Sequence, residues 1–298
     1  MTAADDLMLE IMHLDYRDRR SLIRKKIKFG EKRARRFLYK YKSLPTFEND
    51  SNDAARIEQL RSLLLDNNLW LSSPTAFNDP FDLRCQVDVE ATTQERKVAF
   101  KRMVNQNSTR LWGGRQKEVQ EFMGQSPEHW KQKIEKYLRK NLDNCGVCPL
   151  SANPRSVLMW GHYGNKHTGI CIQFDVARDP EVLLGAVPVS YGTEYAKYNF
   201  YKDYDMNGLG DILTNKYEDW RYEDEWRMIE VDKAKTYKRF NPSALVAIIF
   251  GWNVRPDAVE VVQKILVERS SRGIPNVKQY QTRLHPRKYA LTVNRLSK

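Results

Sequence analysis

The pattern of apolar and polar positions divides the chain into short strands and a few longer helices. Helical periodicity marks residues 54–65 and a helix that begins at Pro256, and the most apolar run, residues 244–250, predicts a central strand. Other short apolar or alternating stretches predict strands at residues 37–41, 69–72, 146–151, 168–174, 187–191, 277–281 and 289–293. Because strands and helices mix without a repeating βαβ rhythm, the pattern predicts an α+β fold.

Residues 91–142 have a polar, helical pattern that differs from the rest of the chain. Their apolar positions form separate stripes, divided at Gly113-Gly114 and at Ser126-Pro127. We interpret this region as a helical insertion in a single α+β domain that spans residues 37–298. Residues 1–36 precede that domain and are predicted to form a basic helical segment.

The net positive charge of the chain indicates a negatively charged partner, which the pattern of strands and helices alone does not reveal. The chain carries 50 Lys and Arg against 38 Asp and Glu, a formal net charge of +12. Basic residues crowd the N-terminal segment, whose apolar Leu22, Ile23 and Ile27 have helical spacing, and so dense a run of positive charge favours contact with the phosphates of a nucleic acid. The alternatives are a solvated helix face and a surface that docks an acidic partner protein. The candidate nucleic-acid-binding residues are Arg24, Lys25, Lys26, Lys28, Arg35 and Arg36.

Other compositional features limit the classes of protein. No apolar run approaches the roughly 20 residues of a membrane span, and the first residues lack the apolar core of a signal peptide. We therefore expect a cytoplasmic protein with no membrane contact. The pair Cys145 and Cys148 has no second ligand pair at metal spacing, so no metal is expected.

The candidate chemistry lies in residues 220–230. A strand that begins near Tyr222 would put Glu223, Glu225 and Arg227 on one face, with successive side chains about 7 Å apart. Two carboxylates at that separation repel each other, which raises a pKa unless a cation such as Arg227 offsets it. One interpretation is a Glu-x-Glu pair that lines a cleft where positive charge develops on a substrate. The other is a half-exposed strand with a solvated Glu-Glu-Arg face.

Four short motifs occur in this chain in the same order as in a bacterial family of domains of unknown function, which the chain therefore resembles. The resemblance covers residues 37–251, and the basic N-terminal segment and the helical insertion lie outside it. Its motifs are Leu38-Tyr39-Lys40-Tyr41, Phe77-Asn78-Asp79-Pro80-Phe81, Met159-Trp160-Gly161-His162-Tyr163 with His167-Thr168-Gly169, and Glu223-x-Glu225-Trp226-Arg227. Each motif alone is weak, whereas the combination is specific.

That family in turn is similar to ADP-ribosyltransferases, which implies a split, mixed or antiparallel β-sheet core and NAD as a substrate. By position, the resemblance implies that Glu225 hydrogen-bonds the nicotinamide ribose of NAD and stabilises the oxocarbenium-like transition state. It implies that Glu223 assists the acceptor nucleophile. The superfamily has Arg or His on its first strand, where this chain departs from the pattern with Tyr39-Lys40-Tyr41, of which Lys40 can serve the pyrophosphate. The residues expected to bind NAD are Tyr39, Lys40, Tyr41, Ser72, Asn78, Trp160, His162, Tyr163 and Arg227.

The resemblance and the charge together predict the function. Relatives that modify nucleic acid occur as toxins in bacterial toxin–antitoxin and phage-defence systems, which implies a nucleic-acid acceptor, RNA favoured over DNA, and an antitoxin or other acidic protein as a neutralising partner. The competing hypothesis is a non-catalytic module that binds nucleic acid or a partner, in which Glu223, Glu225 and Arg227 form a structural ion network. A nuclease is less supported, because its metal-binding acids would be limited to Asp79, Asp82 and the two glutamates.

Overall fold

The domain is built from fourteen short strands and eight α-helices within the described residues. The computed structural model describes residues 35–48, 50–109, 111–202 and 207–296. The strands are β1 (Phe37–Lys42), β2 (Asn68–Leu71), β3 (Cys85–Asp88), β4 (Gly146–Ser151), β5 (Ile170–Asp175), β6 (Val187–Pro188), β7 (Ser190–Gly192), β8 (Ala196–Asn199), β9 (Asn215–Tyr217), β10 (Glu225–Glu230), β11 (Thr236–Arg239), β12 (Leu245–Phe250), β13 (Lys278–Leu284) and β14 (Leu291–Arg295).

The helices lie between these strands. They are α1 (Asp53–Leu64), α2 (Thr93–Asn107), α3 (Trp112–Met123), α4 (Pro127–Asn144), α5 (Val157–His162), α6 (Pro180–Leu183), α7 (Asn207–Thr214) and α8 (Pro256–Ser271). Helix α2 begins with a capping box, in which the Thr92 hydroxyl accepts from the Glu95 amide while the Glu95 carboxylate accepts from the Thr92 amide. The helical pattern predicted for residues 91–142 is therefore present as α2, α3 and α4.

One eight-stranded sheet organises the domain, with the order β14-β13-β12-β5-β1-β4-β10-β6. Its pairings are antiparallel except for the parallel pair β12–β13. Strand β5 lies between β1 and β12, and its Ile170, Ile172 and Phe174 side chains have no exposed surface. A mostly antiparallel sheet with segregated helices confirms the α+β class.

The sheet narrows between β1 and β4. Strands β1 and β5 are paired along six positions, from Phe37↔Asp175 to Lys42↔Ile170, whereas β1 and β4 share the single pair Tyr39↔Ser151. The Lys40 ammonium donates to the Pro149 carbonyl at 2.7 Å across this junction. The part of the sheet from β14 to β1 and the part from β4 to β6 are therefore joined by this one residue pair, Tyr39↔Ser151.

The hydrophobic core has separate parts. Helices α1 and α8 cover one face of the large sheet, where residues such as Leu64 and Val262 are completely buried. The helices α2, α3 and α4 build another cluster around Phe100 and Trp130, whose ring centroids are 4.7 Å apart. The predicted domain limits, residues 37 and 298, and the description of α2–α4 as an insertion remain predictions.

The structure corrects two strand predictions. Residues 187–191 form parts of two short strands, β6 and β7, which pair with different neighbours. The strand predicted to begin near Tyr222 begins at Glu225, because residues Glu218–Glu223 form a 3-10 helix and Asp224 has a left-handed conformation with φ of 43°. The face-by-face alternation expected for Glu223 and Glu225 is thus absent.

The predicted basic helix, with Arg24, Lys25, Lys26 and Lys28, lies outside the described residues. Two of the candidate nucleic-acid-binding residues are described. The guanidinium of Arg35 lies 5.1 Å from the centroid of the Trp226 ring, and that of Arg36 lies 4.5 Å from the Phe37 ring. Both side chains therefore pack on aromatic rings of the domain. No helix in the described ranges is long and apolar enough to cross a membrane.

Candidate active site

A cleft of about 370 Å³ opens beside the junction of β1 and β4. Strand β1 contributes Tyr39, Lys40 and Tyr41 to its wall, and Glu223 and Glu225 line it from the segment that leads into β10. Ser72, Asn78 and Tyr163 also line this cleft. The structure thus gathers residues from all four motifs around one cavity.

Five ionisable side chains form a charged cluster at the cleft: Asp82, Lys216, Glu223, Glu225 and Arg227. Lys216 Nζ lies 2.5 Å from Glu223 Oε2 and 3.0 Å from Glu225 Oε2. Arg227 Nε lies 2.8 Å from Glu225 Oε1, and Arg227 Nη2 lies 2.6 Å from Asp82 Oδ2. The five side chains are between 0% and 5% exposed. The prediction of a solvated, half-exposed Glu-Glu-Arg face is therefore wrong.

Local backbone geometry brings the two glutamates together. Asp224 is left-handed, a conformation that Asp tolerates better than most residues, and it reverses the chain between the 3-10 helix and β10. Two contacts with the end of β4 hold this reversal in place. The Ser151 hydroxyl donates to the Glu223 carbonyl at 2.6 Å, and the Ala152 amide donates to the Asp224 carbonyl at 2.8 Å.

The charges of the cluster do not balance, because three carboxylates face two cations. Burial raises the pKa of Glu223, and the charge of Glu225 adds to this effect despite the opposing charge of Lys216. Burial also raises the pKa of Asp82, against the influence of Arg227. Glu225 differs, since the charges and hydrogen bonds of Arg227 and Lys216 outweigh the effect of burial and lower its pKa.

The pKa of Glu223 is therefore raised above the usual value for a glutamate, and that of Glu225 is lowered below it. A site in which one group holds its negative charge and the next exchanges protons more readily is suited to acid–base chemistry. Glu225 is the fixed anion of this pair. Glu223, whose pKa is raised, is the better proton acceptor of the two.

Two tyrosines orient the pair. The Tyr163 hydroxyl donates to Glu223 Oε1 at 2.7 Å, and the Glu225 backbone amide donates to the Tyr191 hydroxyl at 2.8 Å. Burial raises the pKa of both phenols, and the negative charge of Glu223 raises that of Tyr163 further. Both tyrosines therefore remain protonated and act as hydrogen-bonding groups.

Glu225 keeps some capacity for a ligand. A carboxylate has about four lone-pair positions for hydrogen bonds. Within the described residues, Oε1 accepts from Arg227 Nε, and Oε2 accepts from Lys216 Nζ and Arg227 Nη2. One lone-pair position on Oε1 is therefore not used by these hydrogen bonds. Glu223 has two side-chain donors, Tyr163 and Lys216, and therefore has more unused capacity.

Three residues expected to bind NAD do not line the cleft. Trp160 is completely buried, and its indole donates to the Pro154 carbonyl at 2.9 Å, so it supports the site from the core. His162 is exposed and packs near Tyr222, with ring centroids 6.0 Å apart. Arg227 has no exposed surface and its guanidinium bonds Glu225, Asp82 and the Leu213 carbonyl. Its role is to hold Glu225 in place.

Lys216 and Asp82 are the members of the cluster that the sequence did not assign to this role. Lys216 lies on β9, which pairs with β7 in parallel, and no spacing rule connects it with Glu225. Asp82 had been considered only as a weak metal ligand, but among the described residues no group of His, Cys, Asp and Glu is arranged to hold a metal ion. The one local signal was the density of turn-forming and aromatic residues just before Asp82.

Comparison with known protein families gives a match over part of the chain. A family described as "Protein of unknown function (DUF2971)" matches residues 159–228. That span contains the Met159–Tyr163 motif and the Glu223–Arg227 motif, while the motifs at residues 38–41 and 77–81 lie outside it. No curated protein and no solved structure matches the chain. Over residues 159–228, which carry both glutamates, the chain is therefore similar to a family of unknown function.

Proposed function

We propose that this protein is an NAD-dependent ADP-ribosyltransferase that modifies nucleic acid. The observation that carries the proposal is the pair of buried carboxylates at one cleft, Glu225 with a lowered pKa and Glu223 with a raised pKa. Such a pair suits a reaction in which positive charge develops on the substrate while a proton leaves the acceptor. The sequence resemblance to ADP-ribosyltransferases supports the same assignment.

Glu225 supplies the electrostatic part of the reaction. When the bond between the nicotinamide ring and the ribose breaks, the electron pair leaves with nicotinamide and positive charge builds on the ribose. A carboxylate already fixed by Arg227 and Lys216 needs little reorganisation to stabilise that charge. The unused position on Glu225 Oε1 can accept a hydrogen bond from a ribose hydroxyl.

Glu223 acts on the acceptor. The acceptor's nitrogen or oxygen forms a bond to the ribose carbon that nicotinamide leaves, and the proton of the acceptor passes to the Glu223 carboxylate. The products are the ADP-ribosylated acceptor, nicotinamide and that proton. The raised pKa makes Glu223 a stronger base than an ordinary glutamate.

The wall of the cleft offers polar groups for the rest of NAD. Lys40 is the cation on β1 that faces both the cleft and the Pro149 carbonyl, so it is the proposed partner of the pyrophosphate. Tyr39, Tyr41, Ser72, Asn78 and Tyr163 are the further proposed contacts. A nucleic-acid acceptor, with RNA favoured over DNA, is supported by the net charge of +12 and by the basic N-terminal segment. In this proposal the protein is a bacterial toxin or phage-defence effector that acts in the cytoplasm and is neutralised by an acidic partner.

A second candidate function is a non-catalytic module that binds nucleic acid or a partner. The observation that favours it is the extent to which Glu225 is already bonded, since three hydrogen bonds from two cations occupy it. In that case the charged cluster is a structural ion network.

The two candidates are separated by incubating the protein with NAD labelled in its ADP-ribose part, together with separate RNA, DNA and protein pools. We expect label to enter RNA. Glu225→Gln removes the charge but keeps the shape, so NAD turnover is expected to fall by roughly 10²–10³-fold, with a smaller change in NAD binding. Glu223→Gln is expected to reduce transfer to RNA more than hydrolysis of NAD. Thermal melts confirm that both variants fold. Wild-type turnover by folded Glu225→Gln would contradict the enzymatic assignment and leave the structural network.

A further inference from the structure

A second cavity, of about 280 Å³, shares Lys216 with the cleft. Strands β7 and β9, the residues that follow β7 and the chain that precedes β3 surround it, so it lies beside the charged cluster. Lys216 lines both cavities, and its ammonium lies 2.5 Å from Glu223 Oε2. A ligand in the second cavity would therefore lie against a residue that is bonded to the carboxylate that we assign to the acceptor.

Three exposed aromatic side chains contribute to the wall of this cavity. Phe81 is 59% exposed, Tyr217 is 47% exposed and Tyr195 is 42% exposed, and all three line it. Large rings that remain this accessible around one concavity are suited to stacking against a flat partner. The bases of nucleic acids have such faces.

Polar groups at the same cavity suit the edges and phosphates of nucleotides. The Arg84 guanidinium lies 5.7 Å from the centroid of the Phe81 ring, and its Nε donates to the Pro80 carbonyl at 2.8 Å. Arg84 forms no ion pair with the carboxylates of the described ranges, so its charge is available to an anion. Asn215 and Glu194 also line the cavity and provide an amide and a carboxylate, groups that bind the polar edges of bases.

We propose that the second cavity binds the acceptor nucleotide, as an unpaired base of single-stranded nucleic acid. The inference rests on the proposed function and specifies its substrate. A base inside a duplex is stacked on both faces and must be unpaired and flipped out before it can enter a cavity, whereas an unpaired base can insert between the rings directly. Once seated there, the base lies next to Lys216, which also lines the cleft. The RNA is thereby held beside the cleft in which we place NAD.

A second exposed aromatic pair provides a matched control. Trp70 and Tyr237 stack edge-on, with ring centroids 4.9 Å apart, and are 43% and 52% exposed. They line another cavity, together with Lys40 and Lys42, that does not include a member of the charged cluster. This pair offers similar rings and positive charge at a cavity that neither Glu223 nor Lys216 lines.

The test uses the full chain and short single-stranded RNA that carries 4-thiouridine, without NAD. After irradiation, mass spectrometry identifies the peptides linked to RNA. We expect crosslinks to the peptides that contain Phe81, Tyr195 and Tyr217, and a decrease of about 10-fold or more at these peptides in the double variant Phe81→Ala/Tyr217→Ala. The control Trp70→Ala/Tyr237→Ala is expected to keep these crosslinks, and the same RNA annealed into a duplex is expected to lose them.

Crosslinks confined to the N-terminal segment or to Trp70 and Tyr237, or an equal yield from the duplex, would overturn the proposal. Thermal melts establish that both double variants fold, and Tyr195→Ala is used if Phe81→Ala/Tyr217→Ala does not. Because NAD is absent, the outcome does not depend on transferase chemistry. NAD turnover by the wild-type protein tests the proposed function separately.

Discussion

At the scale of single residues, Lys216 is the centre of the charged cluster. Its ammonium lies 2.5 Å from Glu223, 3.0 Å from Glu225 and 3.8 Å from Asp82, and its side chain is 5% exposed. The charges of Glu225 and Glu223 raise the pKa of Lys216 against the opposing effect of burial, so it stays protonated. One cation thus moderates the repulsion among three carboxylates.

Replacing Lys216 by Met is therefore expected to destabilise the fold strongly. The substitution leaves three buried carboxylates with Arg227 as their remaining cation, and the free energy of unfolding is expected to fall by roughly 3–5 kcal/mol. Lys238→Met is the matched control, because Lys238 pairs with Glu230 at 2.6 Å while both side chains are 34% exposed. That change is expected to lower the free energy of unfolding by about 0–1 kcal/mol. Urea denaturation of both variants measures the difference, and equal losses would contradict the central role of Lys216.

The pH dependence of stability provides a test of Glu223 that does not depend on catalysis. Its pKa in the folded protein is raised above 4.5, so the folded state binds the proton more tightly than the unfolded state does. The associated stability is present at low pH and is lost as the pH rises through the raised value. Glu223→Gln cannot ionise and should not lose it. The melting temperature of Glu223→Gln minus that of the wild type is therefore expected to increase as the pH rises from 4.5 to 8. A constant difference would mean that the pKa of Glu223 is not raised.

The residues of the cluster differ in how far the sequence could reveal them. Glu223, Glu225 and Arg227 lie within five positions, and their proximity was predicted from local spacing. Asp82 and Arg227 are 145 positions apart, so their contact follows from the tertiary fold. Burial also could not be predicted, because Glu and Arg are mostly exposed unless they are paired. The burial of Glu223, Glu225 and Arg227 depends on Lys216 and Asp82, and local spacing does not predict those two partners.

At the scale of elements, the segment between β9 and β10 explains where the sequence prediction was wrong. The aromatic and branched residues of Trp226-Arg227-Met228-Ile229 predicted β10 correctly. The same pattern extended backwards to Tyr222 gave a continuous strand, whereas the chain forms a 3-10 helix and reverses at Asp224. This reversal depends on hydrogen bonds with Ser151 and Ala152 of a distant segment. The alternation of side chains along a strand cannot predict contacts of this kind, because they involve residues that are distant in the sequence.

The turn between α5 and β5 contains a similar local exception. Asn165, Lys166 and His167 all have positive φ, of 47°, 55° and 67°. The Lys166 amide donates to the Gly161 carbonyl at 3.0 Å, and the His167 amide donates to the Trp160 carbonyl at 3.0 Å, which closes the end of the helix. Left-handed residues other than Gly cost about 1–2 kcal/mol each.

Glycine is therefore expected to stabilise this turn. Lys166→Gly removes the steric cost of the left-handed conformation at an exposed position, and the free energy of unfolding is expected to rise by up to about 1 kcal/mol after the larger entropy of the unfolded chain is included. Lys136→Gly makes the same chemical change at an exposed position inside α4 and is expected to lower the free energy of unfolding by about 1 kcal/mol. Chemical denaturation compares the two. Destabilisation by both substitutions would show that the lysine side chain, and not the backbone, decides the effect at residue 166.

At the scale of the whole molecule, the sheet and the helices follow from the sequence better than the cleft does. The strong apolar run at residues 244–250 and the periodicity after Pro256 correspond to β12 and α8. The cleft requires β1 and β4 to meet at one pair and then separate, and this geometry depends on residues 112 positions apart, since Tyr39 faces Ser151. The sequence indicated the residues of the cleft through motif resemblance, while packing determined which of them face it.

Charge distribution is the property of the whole chain that connects the proposed site with its substrate. Simultaneous replacement of Arg24, Lys25, Lys26 and Lys28 by Ala is expected to weaken binding of single-stranded RNA. If all four contact phosphates, the slope of log K against log salt concentration is expected to become shallower by roughly 3, because each contact releases a counterion. Replacing Lys136, Arg139, Lys140 and Lys264, all exposed, removes the same formal charge elsewhere and is expected to change the slope less. Fluorescence anisotropy over a salt series measures both slopes. An unchanged slope in the N-terminal variant would mean that the segment docks an acidic protein partner or forms a solvated helix face. RNA would then be recruited by the domain itself, and the second cavity would have to supply the affinity as well as the selection of the base.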